Sequence, residues 1–71
     1  LVITTSGAAR IGVARVINRR CRPVRRNGRL GKLVACDQGL SMLPGPRLEL
    51  RAAAGRYLIR ADGARLVVTV R

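Results

Sequence analysis

The sequence predicts a small, mainly antiparallel β-domain, and two observations support this expectation. Two turn signals, Asn27-Gly28 and Asp62-Gly63, each stand between segments rich in apolar residues, as they do in β-hairpins. Segments of strand-like composition also recur about every ten residues, a spacing typical of all-β folds. A chain of 71 residues has room for one small core. We therefore expect residues 1–71 to form a single basic, β-rich domain.

The first two segments of the chain differ in how clearly they predict structure. Residues 1–5 contain four β-branched side chains and are expected to form a strand. Residues 8–20 fit either a strand or one short helix, because some of their apolar residues recur at helical spacing. Gly12 and several β-branched residues disfavour the helix. The strand is the preferred interpretation, with a bulge at Gly12.

The middle of the chain predicts a second hairpin followed by turns. Residues 21–24 and 30–35 would pair around Asn27-Gly28, and Pro23 suggests an edge strand because proline cannot donate a ladder hydrogen bond. Arginines along such an edge would hinder edge-to-edge aggregation. Residues 48–51 alternate apolar and charged, as a strand does. Two further segments are expected to be turns because of their Gly, Pro and Asp content, namely Asp37-Gln38-Gly39 and Pro44-Gly45-Pro46.

The C-terminal hairpin is the most specific structural prediction. A two-residue turn at Asp62-Gly63 would pair Ile59 with Leu66 and Tyr57 with Val68, so that one face is apolar and the other basic. Tyr57 is then expected in the core. The opposite face forms a secondary basic face, consisting of Arg56, Arg60, Arg65 and Arg71.

These elements together indicate a partly open β-barrel of five or six strands, SH3-like or OB-like in type. The stretch Gly28-Arg29-Leu30-Gly31-Lys32 resembles the glycine-and-lysine turn of KOW motifs, which occur in SH3-like barrels of ribosomal and transcription proteins. The likeness covers only these few residues and assigns no family. It implies that Arg29 and Lys32 would approach an RNA backbone.

Charge is the strongest functional signal in the sequence. The formal net charge is +12, and no acidic residue precedes Asp37. Such a run of like charges repels itself unless an anion screens it, and nucleic acid is the commonest polyanionic partner. With Tyr57 as the single aromatic residue, base stacking is not expected. The expected contacts are to phosphates of RNA or DNA, and the candidate residues are Arg15, Arg19, Arg20, Arg22, Arg25, Arg26, Arg29 and Lys32.

Enzymatic and metal chemistry are not expected. The chain has no His, and its three acids, Asp37, Glu49 and Asp62, are isolated in sequence, so it lacks the usual general base and the usual metal ligands. No catalytic residue, metal site or cofactor is predicted. Cys21 and Cys36 could form a disulfide, but buried thiols are preferred because a reducing cytosol is the expected compartment.

A second function class explains the same charge. The core is thin, with no Trp or Phe, so stable folding is expected to depend partly on an oligomer or a larger assembly. The chain would then be a structural subunit, of a virion or another complex, that docks on acidic protein surfaces. No apolar run reaches the roughly 20 residues of a membrane span. With no visible secretion signal, we expect the protein in the cytoplasm or within an intracellular or viral assembly.

Overall fold

The computed structural model describes residues 1–37 and 42–71 of the chain. Within them the chain forms eight β-strands and no helix. The strands are β1 (Val2–Thr4), β2 (Arg10–Ile17), β3 (Arg20–Pro23), β4 (Val34–Ala35), β5 (Met42–Pro44), β6 (Arg47–Glu49), β7 (Gly55–Ala61) and β8 (Ala64–Val70). All strand pairs are antiparallel. The mainly antiparallel β class predicted from the sequence is therefore confirmed.

β2 is the central strand of the larger sheet, whose order is β4-β3-β2-β7-β8. One edge of β2 pairs with β7, while its other edge pairs first with β5 and then with β3. β1 and β6 form a separate two-stranded sheet. The described strands do not close into a barrel, so the SH3-like or OB-like type stays a prediction.

Residues 8–20 form a strand and the beginning of a hairpin, so the helix alternative is wrong. β2 ends at Ile17, and β3 begins at Arg20 after a turn at Asn18 and Arg19. Asn18 has a φ of 57°, and asparagine tolerates this left-handed region better than most residues. The expected bulge at Gly12 is also wrong, since the register against β7 runs without a break from Gly12 to Val16.

The C-terminal hairpin has the predicted register. Asp62 and Gly63 both have positive φ, 50° and 77°, as a two-residue turn with both central residues left-handed requires. The predicted cross-strand pairs are observed, namely Ile59 with Leu66 and Tyr57 with Val68. Tyr57 is buried, and its hydroxyl donates a hydrogen bond to the carbonyl of Ala53 at 2.7 Å. The placement of Tyr57 in the core is confirmed.

The second predicted hairpin is only partly formed. Val24 and Leu30 make an isolated bridge, but the returning strand, β4, contains only Val34 and Ala35 and pairs with the start of β3. β3 is therefore not the sheet edge that Pro23 suggested. The missing N–H of Pro23 is tolerated because β4 pairs only as far as Cys21. The carbonyl of Pro23 accepts a hydrogen bond from Gly31 N at 2.7 Å.

The short strands β1 and β6 cover one side of the core. The strands predicted at residues 1–5 and 48–51 correspond to β1 and β6, which pair through Ile3 and Leu48. The N-terminal amine donates to the carbonyl of Leu50 at 2.9 Å, which extends this pairing. Of the predicted turn at Pro44-Gly45-Pro46, Pro44 is the last residue of β5, and Gly45 and Pro46 connect β5 to β6. Of the other predicted turn, Asp37 is described and exposed, whereas Gln38 and Gly39 lie outside the described residues.

The larger sheet has two unlike faces. We call the side that carries Val13, Tyr57 and Ile59 the core face, because the β1–β6 pair packs there and the main apolar cluster forms. The cluster consists of Ile3, Ile11, Val13, Val24, Leu43, Leu48, Leu50, Tyr57 and Ile59. The opposite side, the outer face, buries a smaller cluster of Ala14, Cys21 and Leu58. The burial of Leu58 on the predicted basic face was not expected from the sequence.

Cys21 and Cys36 form a disulfide, with an S–S distance of 2.04 Å and a Cα–Cα distance of 4.8 Å. The expectation of two buried thiols is therefore wrong for this structure. Val34 pairs directly with Cys21, and Cys36 follows the end of β4 at Ala35, so the pairing of β4 with β3 brings the two cysteines close together. The disulfide attaches the short edge strand β4 to the small cluster on the outer face.

Truncation of the core should test the packing of the core face. Ile11 is fully buried, so Ile11→Ala should lower the free energy of unfolding by about 2–5 kcal/mol. Val2 is 55% exposed, so Val2→Ala should change the free energy of unfolding by less than about 0.5 kcal/mol. Urea unfolding followed by circular dichroism measures both values. Equal effects of the two substitutions would contradict the burial pattern.

Removal of the disulfide should lower stability. The cysteines are 15 residues apart, and closing a loop of that length contributes about 3 kcal/mol. A reductant should therefore lower the thermal unfolding midpoint of the wild type. It should leave the midpoint of the Cys36→Ala variant unchanged, because that variant has no disulfide to reduce. The mass of the denatured wild type should rise by two hydrogens on reduction. An unchanged mass would show that the thiols are free in solution.

Candidate nucleic-acid interface

A compact loop at residues 25–29, here called the Arg loop, carries three exposed arginines. Arg25 N donates a hydrogen bond to Arg29 O at 2.8 Å, and Gly28 N donates to Arg25 O at 2.8 Å. The side-chain oxygen of Asn27 accepts from Arg29 N at 3.0 Å. Gly28 has a φ of 83°, a value that glycine adopts without steric cost. These bonds fix the loop backbone, while Arg25, Arg26 and Arg29 are exposed.

Arg15 and Arg22 lie directly opposite each other on β2 and β3. Two like charges in this position repel each other, and each guanidinium finds a backbone carbonyl. Arg15 Nη2 donates to Ala54 O at 3.0 Å, and Arg22 Nε donates to Gly31 O at 2.8 Å. Each guanidinium has five N–H donors, so other donors remain for an anion. Both residues therefore brace the neighbouring loops as well as adding positive charge.

A small cleft joins the Arg loop to the chain segment that follows β6. It has a volume of about 100 Å³, and its charged lining residues are Arg15 and Arg51. The remaining lining residues are Val24, Gly28, Leu30, Ala52, Ala53 and Tyr57. A Cβ on Gly28 would lie 3.3 Å from the carbonyl oxygen of Arg51, so the loop packs closely against that backbone. We call this the Arg cleft.

Arg51 was not among the residues predicted from the sequence. It is exposed and lies outside the dense basic run, so charge density along the chain gives no sign of it. It lies beside Gly28 because two segments distant in sequence meet there, and the local sequence does not specify this contact. The Arg loop, Arg15 and Arg51 are thus brought together by the fold.

The other predicted contact residues surround this region less closely. Arg19 and Arg20 are exposed at the β2–β3 turn, and Lys32 is exposed between the Arg loop and β4. Arg26 also lines a second cleft, together with Arg47 and Glu49. Arg47 Nη2 lies 2.9 Å from Glu49 Oε1, the one salt bridge found in the described part of the chain.

The secondary basic face lies on the other side of the sheet. Arg60 pairs directly with Arg65, and Arg56 pairs with Thr69, all on the outer face. Arg15 pairs with Tyr57 and therefore points to the core-face side. Arg71 follows β8 and is exposed. The predicted contact residues thus divide between two opposite faces and do not form one continuous strip.

The exposed guanidiniums of this region can bind anions. Among the described residues, no group of three or more His, Cys, Asp or Glu side chains could hold a metal ion, and no charged side chain is buried. The exposed guanidiniums around the Arg loop can each offer several N–H donors to phosphate oxygens. None of the described residues forms a helix that could cross a membrane.

Comparisons with protein-family models, curated proteins and solved structures found no match to this chain.

Proposed function

We propose that this domain is a non-enzymatic module that binds the phosphate backbone of nucleic acid, and that it acts within a ribonucleoprotein. The observation that carries the proposal is the Arg loop, which holds three exposed guanidiniums on a hydrogen-bonded backbone. Arg15 and Arg51 extend the positive surface through the adjoining Arg cleft. A small barrel-like fold of SH3-like or OB-like type is consistent with such a role.

The distribution of charge supports a polyanionic partner. The chain carries 15 basic and three acidic residues, and a single salt bridge is found in the described part of the chain. Most guanidiniums therefore have no acid to neutralise them. Phosphate groups spaced along a nucleic-acid strand would lower this repulsion and release bound counterions, which favours association.

The chemistry of the surface indicates binding without base readout. Phosphate contacts position a protein but carry no sequence information, and the single aromatic residue, Tyr57, is buried. Stacking of bases on exposed rings is therefore not available from this side chain. We expect similar affinities for oligonucleotides of equal length and different sequence.

Salt dependence tests the proposal directly. The logarithm of the association constant for a fluorescent DNA duplex of arbitrary sequence should fall linearly with the logarithm of salt concentration. Replacing Arg25, Arg26 and Arg29 together by Gln should make the slope shallower by about 0.9 for each lost duplex phosphate contact. Fluorescence anisotropy across a salt series measures the affinity and the slope.

The matched control removes the same charge from the opposite face. The triple variant Arg56→Gln, Arg60→Gln and Arg65→Gln has the same net charge as the Arg-loop variant, so it should keep most of the wild-type slope. Equal losses in both variants would contradict the assignment to the Arg loop. No binding by the wild type at low salt would contradict nucleic-acid binding itself, and docking on acidic protein surfaces would then explain the charge better.

A further inference from the structure

Strand β8 is an open edge of the larger sheet. β8 lies at the end of the strand order, with β7 as its neighbour on one side and no described strand on the other. It is seven residues long, whereas the strand at the opposite end of the order, β4, has two residues. An open edge presents a row of N–H and carbonyl groups that can pair with another strand.

The middle of β8 lacks the usual protection of edge strands. Residues 66–70 contain no charge, no proline and no glycine, and the flanking arginines stand only at positions 65 and 71. Natural edge strands commonly carry an inward charge, a proline or a bulge that prevents pairing. The register of β8 against β7 is regular over its whole length, so no bulge is present.

Two large apolar side chains of β8 are exposed on opposite faces of the sheet. Leu66, on the core face, is 60% exposed, and Val67, on the outer face, is 48% exposed. A partner resting on one face would cover only one of them. A strand added beside β8 would lie next to both. On the core-face side, Leu66 also borders an apolar groove that β1 lines with Ile3.

The hairpin geometry determines which residues of β8 can pair outward. In a two-residue hairpin the residues that flank the turn exchange hydrogen bonds, here Ala61 and Ala64. Alternate residues of β8 therefore bond to β7, and the N–H and carbonyl groups of the others point away from the sheet. The outward-pointing residues are Arg65, Val67 and Thr69.

These three residues can pair with the same three residues of a second copy, if the two β8 strands run antiparallel about a two-fold axis. With Val67 opposite Val67 of a second copy, Arg65 would lie opposite Thr69, and Leu66 would lie opposite Val68. All three outward residues are then used in hydrogen-bonded pairs, and no arginine faces another across the new pair of strands. Cross-strand pairs of apolar β-branched residues are favourable.

We propose that β8 is a homodimerisation edge, and that two copies of the chain join through an antiparallel β8–β8 pair centred on Val67. The two larger sheets would become one continuous sheet. The arrangement closes on itself because pairing occupies β8 in both copies, and the two-residue β4 is too short to continue the assembly. The contact is small, so we expect a reversible dimer in the micromolar range and not an obligate one.

The net charge of +12 on each copy opposes this association. Added salt screens that repulsion, so dimerisation should strengthen as salt rises. Nucleic-acid binding should weaken under the same change. The opposite responses separate the two proposals, and either one can fail without the other.

The test uses charge substitutions at the two-fold centre. Sedimentation velocity of the nuclease-treated wild type should show a monomer–dimer equilibrium that shifts to dimer with concentration and with salt. Val67→Lys and Val67→Glu should each be monomeric, because each places two like charges opposite each other. An equimolar mixture of the two variants should dimerise again, since the lysine of one copy then faces the glutamate of the other.

Val2→Lys is the matched control, because Val2 is also an exposed valine, but on β1. It should dimerise as the wild type does, and circular dichroism should show that every variant is folded. A wild type that stays monomeric at all concentrations and salt levels would overturn the proposal. A mixture of the two Val67 variants that stays monomeric, while the wild type dimerises, would overturn the register centred on Val67.

Discussion

The pairing of β2 with β7 in the larger sheet, together with the burial of their apolar side chains, is the interaction on which the rest of the domain depends. β2 is buried on both faces from residue 11 to residue 14, with Ile11 and Val13 toward the core and Ala14 toward the outer cluster. Because side chains alternate along a strand, this burial fixes the register of β7, and the Asp62-Gly63 turn then fixes β8. The β1–β6 pair packs on the face that carries Val13.

The positions of the arginines on the surface are a consequence of this strand pairing. Once the apolar positions of β2 and β7 are buried, charged residues are left at strand ends, in turns and on the exposed parts of the sheet. Arg15 and Arg22 are half-buried and donate to backbone carbonyls, while the three arginines of the Arg loop are exposed. With one salt bridge in the described residues, the surface is left strongly positive. Phosphate binding is the function that this excess of unpaired charge supports best.

Local turn chemistry explains which parts of the fold could be predicted from the sequence. Asp-Gly restricts both turn positions strongly, so the β7–β8 register followed from two residues and the alternation beside them. Asn18-Arg19 is a much weaker signal, because arginine is not a typical turn residue, and the β2–β3 hairpin was missed. β4 lies within the predicted strand at residues 30–35 and pairs with β3 as expected, but its shortness and its disulfide depend on tertiary pairing that the local pattern does not specify.

The candidate site shows the same division. Charge density identified the residues of the Arg loop, but it could not indicate that Arg51 lies beside Gly28. Charge density also could not distinguish Arg15 and Arg22, which donate hydrogen bonds to loop carbonyls, from arginines that are only exposed. The secondary basic face was predicted as a set of residues, and the register places its strand members on the side of the sheet away from Arg15.

We propose that phosphate relieves the repulsion among arginines held on the folded surface. The most direct measurement is the thermal unfolding midpoint with and without a short duplex oligonucleotide, at low and at high salt. A ligand that binds the folded state raises this midpoint by mass action. We expect a clear rise at low salt that disappears at high salt. An unchanged midpoint at low salt with excess oligonucleotide would contradict phosphate binding by the folded domain.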